Sequence, residues 1–253
     1  MAALLALPLN FAAAKPKPGA DAAHDGRVSA SPELRNGVGA TAPLAAGVFL
    51  SGPDVSGSAR VIDGDTLDVD GTRVRLEGID APEHAQLCNR NDGTKWRCGR
   101  QATRALRQMT AGAQVRCYSR GHGSYGRMLG LCFAGRLQLN AELVRRGLAW
   151  AFVKYSKTYV GLEAVARQRK VGIWQGPAQR AWDYRANRWA SAEGDAPNGC
   201  AIKGNITRRG HIYHMPWSPW YGRVRIETKK GERWFCSEAE AVAAGWRSIT
   251  RRH

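Results

Sequence analysis

The sequence contains no run of 18 consecutive apolar residues, the length at which a segment becomes a candidate membrane-spanning helix. We therefore expect no transmembrane segment. Acidic residues are also scarce, with 21 Asp and Glu against 38 Lys and Arg, for a formal net charge of +17. This surplus predicts attraction to polyanions such as nucleic acids, although charge alone also fits a basic protein with no nucleic-acid role.

The N-terminal part of the chain lacks this surplus of positive charge. Residues 1–57 hold four basic and four acidic groups, whereas residues 58–199 hold 23 and 13, and residues 200–253 hold 11 and 4. The chain is 253 residues long with 43% apolar residues, enough for one or two domains with real cores. The surface that attracts polyanions is therefore predicted to lie on the folded parts.

The first 14 residues, MAALLALPLNFAAA, lack the basic residues with which an export signal usually begins. They otherwise match the apolar part of such a signal, with the small residues Ala13 and Ala14 near the cleavage point. We expect a signal remnant and an exported protein, either periplasmic or secreted. Residues 15–57 are rich in Ala, Gly, Pro and Ser without a sustained period, which predicts a flexible linker.

The six cysteines are spaced as disulfide partners. Cys117 and Cys132 are equidistant from a predicted hairpin turn at residues 124–125, so they should face each other across two antiparallel strands. Cys88 and Cys98 bracket a polar loop and form a second candidate pair. The alternative is six free thiols in a cytosolic protein, but the even count and the hairpin spacing favour disulfides.

The pattern from Ser58 onwards predicts a small barrel. SARVIDGDTLDVDG reads as a strand pair, TRVRLEGID alternates as a third strand, and a later hairpin carries Cys117 and Cys132. Three helices are also predicted. The first has Ala102, Leu106 and Met109 on one face and ends at Gly112. The second begins with Asn140 as N-cap and ends at Gly147, and the third packs through Leu162 and Val165 and ends at Gly172. About five strands with interposed helices fit a mainly β (α+β) fold, a closed five-stranded Greek-key barrel of the OB type.

Three acidic residues follow turns close together in the sequence, Asp65 in VIDGDTL and Asp80 and Glu83 in RLEGIDAPE. Hard cations such as Ca²⁺ prefer carboxylates, backbone carbonyls and water, so Asp65, Asp80 and the carbonyl of Ala81 form a candidate metal site. The alternative is ordinary turn chemistry, in which Asp side chains satisfy backbone N–H groups.

Two arginines accompany these carboxylates in the sequence. Arg75 lies on the strand that leads to Asp80, and Arg127 follows the hairpin turn in SYGRMLG. The planar guanidinium group matches phosphate oxygens and can stabilise the charge that develops on them during phosphoryl transfer. Taken singly, either arginine could equally be a solvated strand residue.

The segments VIDGDTLDV, TRVRLEGIDAPE, SYGRMLG and LNAELVRRGLAW occur in the order and near the spacing of the thermonuclease (staphylococcal nuclease-like) family. The chain resembles that family from about Ser58 to Trp174. The resemblance implies an OB barrel with three helices and a calcium-dependent nuclease that hydrolyses phosphodiester bonds of DNA or RNA. We expect Ca²⁺ as cofactor and a monomer.

The resemblance also implies a role for each matching position. By this resemblance, Asp65, Asp80 and the carbonyl of Ala81 bind calcium, and Glu83 activates or positions the attacking water. Arg75 and Arg127 hold the phosphate. Tyr125, together with Phe152 or Tyr155, supplies the aromatic contact with the nucleotide. The run GHGSYGR departs from the family, which usually has an acidic and another polar residue before YGR. That departure concerns substrate affinity rather than the chemistry.

The C-terminal part is predicted to be a separate unit. Trp182, Tyr184 and Trp189 in the Arg-rich segment WDYRANRWA could stack on bases, but packing against the barrel is favoured. Residues 200–250 resemble a small module called a sunset domain, and GERWFCSEAEA is its most specific segment. Its charge would suit either nucleic acid or an acidic envelope polymer.

The cysteines of this C-terminal unit suggest either a disulfide or a metal site. Cys200 and Cys236 could pair, or could bind zinc together with His214 and, less suitably, His211. A disulfide is favoured because the hydrophobic core of so small a unit needs a covalent cross-link to be stable.

The predicted domains are a nuclease barrel over residues 58–190 and the small module over residues 200–250, after the signal remnant and the linker. A catalytically inactive nucleic-acid-binding module and an envelope-associated structural protein are the alternatives to a nuclease. The five residues Asp65, Arg75, Asp80, Glu83 and Arg127 favour the enzyme, because simple binding needs only diffuse positive charge.

Overall fold

Alternating apolar residues form the strands of a barrel in the computed structural model, which describes residues 52–123 and 127–248. The elements of this first part are, in chain order, β1 (Val55–Val61), β2 (Thr66–Val69), β3 (Thr72–Leu76), β4 (Ile79–Asp80), β5 (Cys88–Asn89), β6 (Lys95–Trp96), α1 (Cys98–Thr110), β7 (Gln114–His122), β8 (Met128–Ala134), β9 (Leu137–Gln138), α2 (Leu139–Arg145), β10 (Trp150–Ala151) and α3 (Val160–Gln168). β1 begins three residues before the predicted domain boundary at Ser58.

Five of these strands close on themselves. The hydrogen-bonded order is β3-β2-β1-β7-β8, and a parallel pairing of β3 with β8 completes the ring. The remaining neighbours in the ring are antiparallel, and β9 extends the sheet beyond β8. Inward-facing side chains such as Leu67, Val69 and Val74 are fully buried. The structure confirms the predicted five-stranded barrel of the OB type.

The helices lie where the periodicity places them, with two differences in detail. Asn140 was predicted as the N-cap of α2, but it lies inside the helix and is fully buried. Its side-chain amide accepts a hydrogen bond from the N–H of Cys132 and donates to the carbonyls of Glu77 and Gly130. α3 packs through Ala166 rather than the predicted Val165, which is exposed.

Both predicted disulfides of the barrel are present. Cys117 and Cys132 are direct partners in the register of β7 and β8, with their Cα atoms 4.1 Å apart. Cys88 and Cys98 are also bonded and tie β5 to the first residue of α1. The hairpin turn itself, including Tyr125, lies outside the described residues.

A long helix that periodicity did not predict follows the barrel and leads into the C-terminal module. The elements of this second part are α4 (Ala181–Asp195), β11 (Ile202–Thr207), β12 (Gly210–His214), β13 (Arg233–Phe235), α5 (Glu238–Ala243) and β14 (Arg247–Ser248). The four strands form one sheet in the order β13-β11-β12-β14. α4 crosses residue 190, at which the barrel domain was predicted to end, and all described residues belong to one compact unit.

Aromatic residues of α4 face two different cores. Trp182 packs in the barrel part, with its ring 5.2 Å from that of Phe152 and 6.3 Å from that of Trp150. Trp189 packs against both buried clusters of the C-terminal module. The prediction that Trp182 packs rather than stacks on bases agrees with these contacts.

The C-terminal module is closed by a disulfide between Cys200 and Cys236, so the zinc alternative is wrong. His214 is within 3.0 Å of the Asn205 side-chain oxygen, and His211 stacks on the Trp246 ring. Three disulfides in all are typical of proteins exported to an oxidising compartment. Among the residues described, no helix combines the length and apolar character that crossing a membrane requires.

Candidate active site

The barrel brings Asp65 and Arg75 together through the pairing of two strands. Asp65 immediately precedes β2, and Thr66, the first residue of β2, is paired with Arg75 on β3. The Arg75 guanidinium donates from Nη1 to Oδ1 of Asp65 at 2.9 Å. Asp65 is 4% exposed, so this ion pair is shielded from solvent. Two residues ten positions apart in the sequence are thus held in direct contact.

Asp80 reaches the same guanidinium from a neighbouring sheet. It ends the short strand β4, where it pairs with Trp150 on β10, and its side chain is fully buried. Arg75 donates from Nη2 to Oδ1 of Asp80 at 2.7 Å. Both predicted metal-binding carboxylates therefore face one shared cation, the guanidinium of Arg75.

The segment after Asp80 is fastened to the barrel by its backbone. The N–H of Ala81 donates to Oδ2 of Asp65 at 2.9 Å, which fixes the orientation of that carboxylate. The turn that carries Asp65 also approaches closely, since a Cβ on Gly64 would lie 2.7 Å from the Cβ of Ala81. Binding of a metal by the carbonyl of Ala81 stays a prediction.

Glu83 lies at the edge of this cluster, against the first turn of α1. A Cβ on Gly99 would lie 1.7 Å from the carbonyl oxygen of Glu83, so only glycine permits this approach. The buried side chain of Gln86 accepts from the N–H of Glu83 at 3.1 Å and donates to the carbonyl of Gln179 at 2.6 Å. The loop that carries Glu83 is thereby tied to the segment that leads into α4.

Arg185 on α4 completes the cluster, and sequence reasoning missed it. Its Nη2 donates to Oδ2 of Asp80 at 2.8 Å, and its Nη1 donates to Oδ1 of Asp80 at 3.1 Å and to Oε1 of Glu83 at 2.9 Å. The Arg-rich segment WDYRANRWA signalled positive charge, but nothing in its spacing singled out this residue. Asp80 and Arg185 are 105 positions apart in the sequence, so only the fold brings them together.

The pKa values of these groups reflect burial and mutual charge. Burial raises the pKa of Glu83 to about 8, and the Arg185 charge opposes that rise. Burial, reinforced by the charge of Asp65, raises the pKa of Asp63 to about 6. Burial alone would lower the pKa of Arg75, but the charges of Asp65 and Asp80 outweigh it and raise that pKa. The guanidinium group is therefore firmly cationic.

Arg127 joins the site because β3 and β8 close the barrel. It immediately precedes β8, whose first residue Met128 is the parallel partner of Val74, the neighbour of Arg75 on β3. Arg127, Arg75, Glu83 and Arg185 line one cavity of about 720 Å³. The predicted site residues from separate strands thus converge on a single space.

Aromatic residues line the same cavity. Phe152 and Tyr155 both contribute to its wall, with their ring centroids 5.0 Å apart in an edge-to-face arrangement. Tyr155 is 66% exposed, whereas Phe152 also stacks on Trp182. The structure places both predicted aromatics at the site, and Tyr155 is the more available for contact with a ligand. Contact of either with a nucleotide stays a prediction.

The C-terminal module supplies another wall of the cavity, which sequence reasoning did not predict. Met215, Trp217, Glu238 and Ser248 all line it opposite the barrel residues. Glu238 accepts a hydrogen bond from the hydroxyl of Tyr213 within the same module. A ligand in the cavity would therefore meet both parts of the protein.

Asp65 and Asp80 supply the carboxylate oxygens that a hard cation prefers, but both are engaged by arginines in this structure. Asp65 and Asp80 are buried oxygen donors that already share one cationic partner, and Asp80 also meets the guanidinium of Arg185. Within residues 52–123 and 127–248, no group of three or more His, Cys, Asp or Glu side chains is arranged to hold a metal. A cation here would depend on two carboxylates supplemented by backbone or water oxygens.

Glu83 and three arginines line one cavity of a five-stranded barrel, and Asp65 and Asp80 are buried against one of those arginines, Arg75. This combination is typical of an enzyme that acts on phosphate esters. The family model for staphylococcal nuclease homologues matches residues 73–176, which include most of this site. A second family model, ArfC, matches residues 183–248. The C-terminal match is thus to ArfC, and the sunset-like assignment made from the sequence is not supported.

Several known proteins are similar to about half of the chain. Micrococcal nuclease of Shigella flexneri is 35% identical over 144 residues, covering 50% of this chain and 77% of that protein. The succinoglycan biosynthesis protein ExoI of Rhizobium meliloti (strain 1021) is 35% identical over 137 residues, covering 53% and 72%. An uncharacterized endonuclease of Escherichia coli O157:H7 is 36% identical over 122 residues, covering 46% and 73%.

This chain belongs to the family of staphylococcal nuclease homologues. It is a nuclease, a hydrolase of phosphodiester bonds whose substrates are nucleic acids. The family depends on a metal ion. These conclusions agree with the enzyme class and the fold that the sequence motifs predicted.

Proposed function

We propose that the protein is an exported, calcium-dependent nuclease that cleaves DNA, RNA or both at the cavity between the barrel and the C-terminal module. The observation that carries this proposal is the contact of Arg75 with both Asp65 and Asp80, beside Glu83 and Arg127 in one cavity. Diffuse positive charge would be enough for binding alone, whereas phosphoryl transfer needs carboxylates and arginines aimed at one point.

In the proposed mechanism, each charged residue of the cavity has its own role in hydrolysis of the phosphodiester bond. Glu83 accepts a proton from a water molecule as the water oxygen bonds to phosphorus, and the P–O bond to the leaving oxygen breaks. The leaving oxygen then takes up a proton from solvent. Arg75 and Arg127 stabilise the negative charge that accumulates on the non-bridging oxygens. The hydrogen bond from Arg185 positions the carboxylate of Glu83.

Calcium is the proposed cofactor, held by Asp65, Asp80 and the carbonyl of Ala81. When bound, it would supply charge neutralisation to a phosphate oxygen and help to orient water. A site with so few carboxylates leaves coordination positions for substrate and water. Mg²⁺ demands a tighter octahedron at about 2.0–2.1 Å and is therefore the poorer fit.

Purified protein incubated with single-stranded DNA, double-stranded DNA and RNA tests this function, with Ca²⁺, with Mg²⁺, or with EGTA. We expect cleavage with Ca²⁺ and none with EGTA, whether or not Mg²⁺ is added. Full activity in Mg²⁺ with EGTA present would overturn the choice of metal. Binding of all three polymers without cleavage under any condition would favour the inactive binding module instead.

Export is supported by the three disulfides, which form and persist in oxidising compartments. The signal remnant over residues 1–14 and the linker over residues 15–57 lie outside the described residues, apart from the last few positions of the linker. We propose a periplasmic or secreted location on the disulfides together with the apolar character of the first residues.

A further inference from the structure

The C-terminal module contains a second large cavity that the catalytic chemistry does not use. It has a volume of about 960 Å³ and opens between β11, β12 and the loop before β13. Six basic side chains line it, against two acidic ones. The basic residues are Arg208, Arg209, Arg223, Arg225, Lys230 and Arg247.

The two acidic residues of this cavity are already engaged within the module. Glu232 accepts hydrogen bonds from the backbone N–H groups of Ile206 and Glu227, each at 2.9 Å. The Glu227 carboxylate pairs with Lys230 at 2.8 Å. The remaining arginines therefore give the cavity a positive potential, which attracts anionic ligands.

A buried histidine adds a polar group that suits a nucleotide better than a simple anion. His214 lines the cavity and is 4% exposed. Its Nε2 lies 3.0 Å from Oδ1 of Asn205, which assigns the ring proton to Nε2 and makes Nδ1 an acceptor. Nδ1 is buried without a hydrogen-bond partner among the described residues. A ligand hydroxyl or amino group would satisfy it, whereas a bare anion would not.

Tryptophan side chains connect this cavity to the catalytic one. A smaller cavity of about 120 Å³ is lined by Asp63 and Glu83 from the barrel and by Trp217 and Trp220 from the module. Trp220 also lines the basic cavity, and Trp217 also lines the catalytic cavity. Each neighbouring pair of the three cavities thus shares one tryptophan, and aromatic rings are the surfaces on which nucleic-acid bases stack.

We propose that the basic cavity of the C-terminal module binds a nucleotide unit of the substrate strand beyond the scissile phosphate. Arg208, Arg223 and Arg225 meet its phosphates, and Nδ1 of His214 accepts a hydrogen bond from an amino or hydroxyl group of the same unit. This inference rests on the proposed function, because the strand it describes is the one cleaved between the barrel and the module. The module then acts as a substrate-binding extension of the barrel rather than as an independent anchor.

A triple variant, Arg208→Gln, Arg223→Gln and Arg225→Gln, tests the site in the full chain. All three side chains are exposed, so folding should be unaffected and the thermal melting curve unchanged. The matched control replaces three exposed arginines of the barrel that line none of the three cavities, with Arg104→Gln, Arg136→Gln and Arg169→Gln. Both variants lose the same net charge.

Binding is measured in EGTA with a fluorescent single-stranded DNA of about 12 nucleotides, a length within the usual range for single-strand sites. We expect the cavity variant to bind at least about tenfold more weakly than the control variant. For the cavity variant, the slope of log K against log salt concentration should be smaller in magnitude by about 2. Each phosphate contact with a single strand contributes about 0.7 to that slope, and three contacts are lost. Equal weakening in both variants would show only general electrostatic attraction and overturn the proposal.

Two further measurements separate the possible causes of failure. Cleavage of a dinucleotide phosphodiester with Ca²⁺ should be equal in the cavity variant and the wild type, because so short a substrate occupies only the catalytic cavity. No cleavage of the dinucleotide, DNA or RNA by the wild type would refute the proposed function, while the EGTA binding result would still decide the cavity. A cavity variant that loses binding to anionic phospholipid vesicles but keeps oligonucleotide binding would assign the site to an envelope surface and overturn the proposal.

Discussion

Arg185 on α4 donates from Nη2 to Oδ2 of Asp80 at 2.8 Å, so the helix that leads into the C-terminal module directly neutralises the most deeply buried carboxylate of the active site. The same guanidinium holds Glu83 at 2.9 Å. The residue that positions the proposed base therefore comes from outside the barrel. The barrel and the module are chemically coupled at the site.

The first prediction concerns Arg185→Gln, which removes this charge and keeps most of the side-chain volume. Without added cation, the free energy of unfolding should fall by at most about 3 kcal/mol, because a buried carboxylate loses one of its two cationic partners. Addition of Ca²⁺ should raise the melting temperature of the variant more than that of the wild type, since the cation no longer competes with this guanidinium.

The control is Arg188→Gln on the same helix, where Arg188 donates from Nε to the carbonyl of Pro216 at 3.3 Å. This variant should respond to Ca²⁺ as the wild type does. Thermal melts with Ca²⁺ and with EGTA measure the difference. An identical Ca²⁺ response in all three proteins would mean that Arg185 does not share Asp80 with the cation.

The second prediction concerns the arginines from the barrel. Arg75→Lys and Arg127→Lys should each reduce turnover by roughly 10²-fold or more, the scale of losing one donor to the transition state. Lysine keeps the charge but loses the planar fork. Arg136→Lys, on an exposed turn, is the control and should keep full turnover. Turnover near the wild-type value in both active-site variants would mean that these arginines contribute only general positive charge and do not stabilise the transition state.

The third prediction concerns the pH dependence of stability in the C-terminal module. Burial, reinforced by the charge of Lys203, lowers the pKa of His214 to about 4 from its ordinary 6.5. Between these values the unfolded chain binds more protons than the folded chain. The stability that neutral His214 contributes is therefore complete above pH 6.5 and is lost as the pH falls towards 4.

Chemical unfolding at pH 7 and pH 5 checks the role of His214 directly. The wild type should lose more stability between these pH values than His214→Gln, which carries no titratable group at that position. The same loss in both proteins would show that His214 already titrates normally in the folded state.

The fourth prediction concerns the covalent state of the mature protein. Protein from the native host should carry three disulfides, so its mass under non-reducing conditions should be six hydrogens below that of the reduced chain. We also expect its N-terminus to lie after about residue 14, by the pattern of export signals. Six free thiols on a full-length chain would place the nuclease inside the cell.

A matched pair of double variants measures what each disulfide of the barrel contributes. Replacing Cys117 and Cys132 by Ala should cost roughly 3 kcal/mol, the chain-entropy value for a loop of this size. Replacing Cys88 and Cys98, which close a shorter loop of 10 residues, should cost somewhat less. A larger loss from the shorter loop would show that local packing, not loop length, dominates.

The sequence by itself determined the barrel and its core chemistry, because the signals involved are local. Strand alternation and turn residues define β1 to β3 within about 20 residues, and Asp65, Arg75 and Asp80 lie on or beside those same strands. The disulfide of Cys117 with Cys132 followed from the symmetry of one hairpin. Local periodicity and motif spacing carry such information without knowledge of distant contacts.

Only the tertiary structure decided the features that join distant segments. Asn140 was expected at a helix start, yet its amide satisfies buried backbone groups of β8 and of the residue after β3, which only the packed fold brings within reach. Arg185 meets Asp80 across 105 positions, and the module closes the cavity with Trp217. Such contacts depend on how helices pack against the barrel, and the spacing of residues along the sequence does not predict that packing.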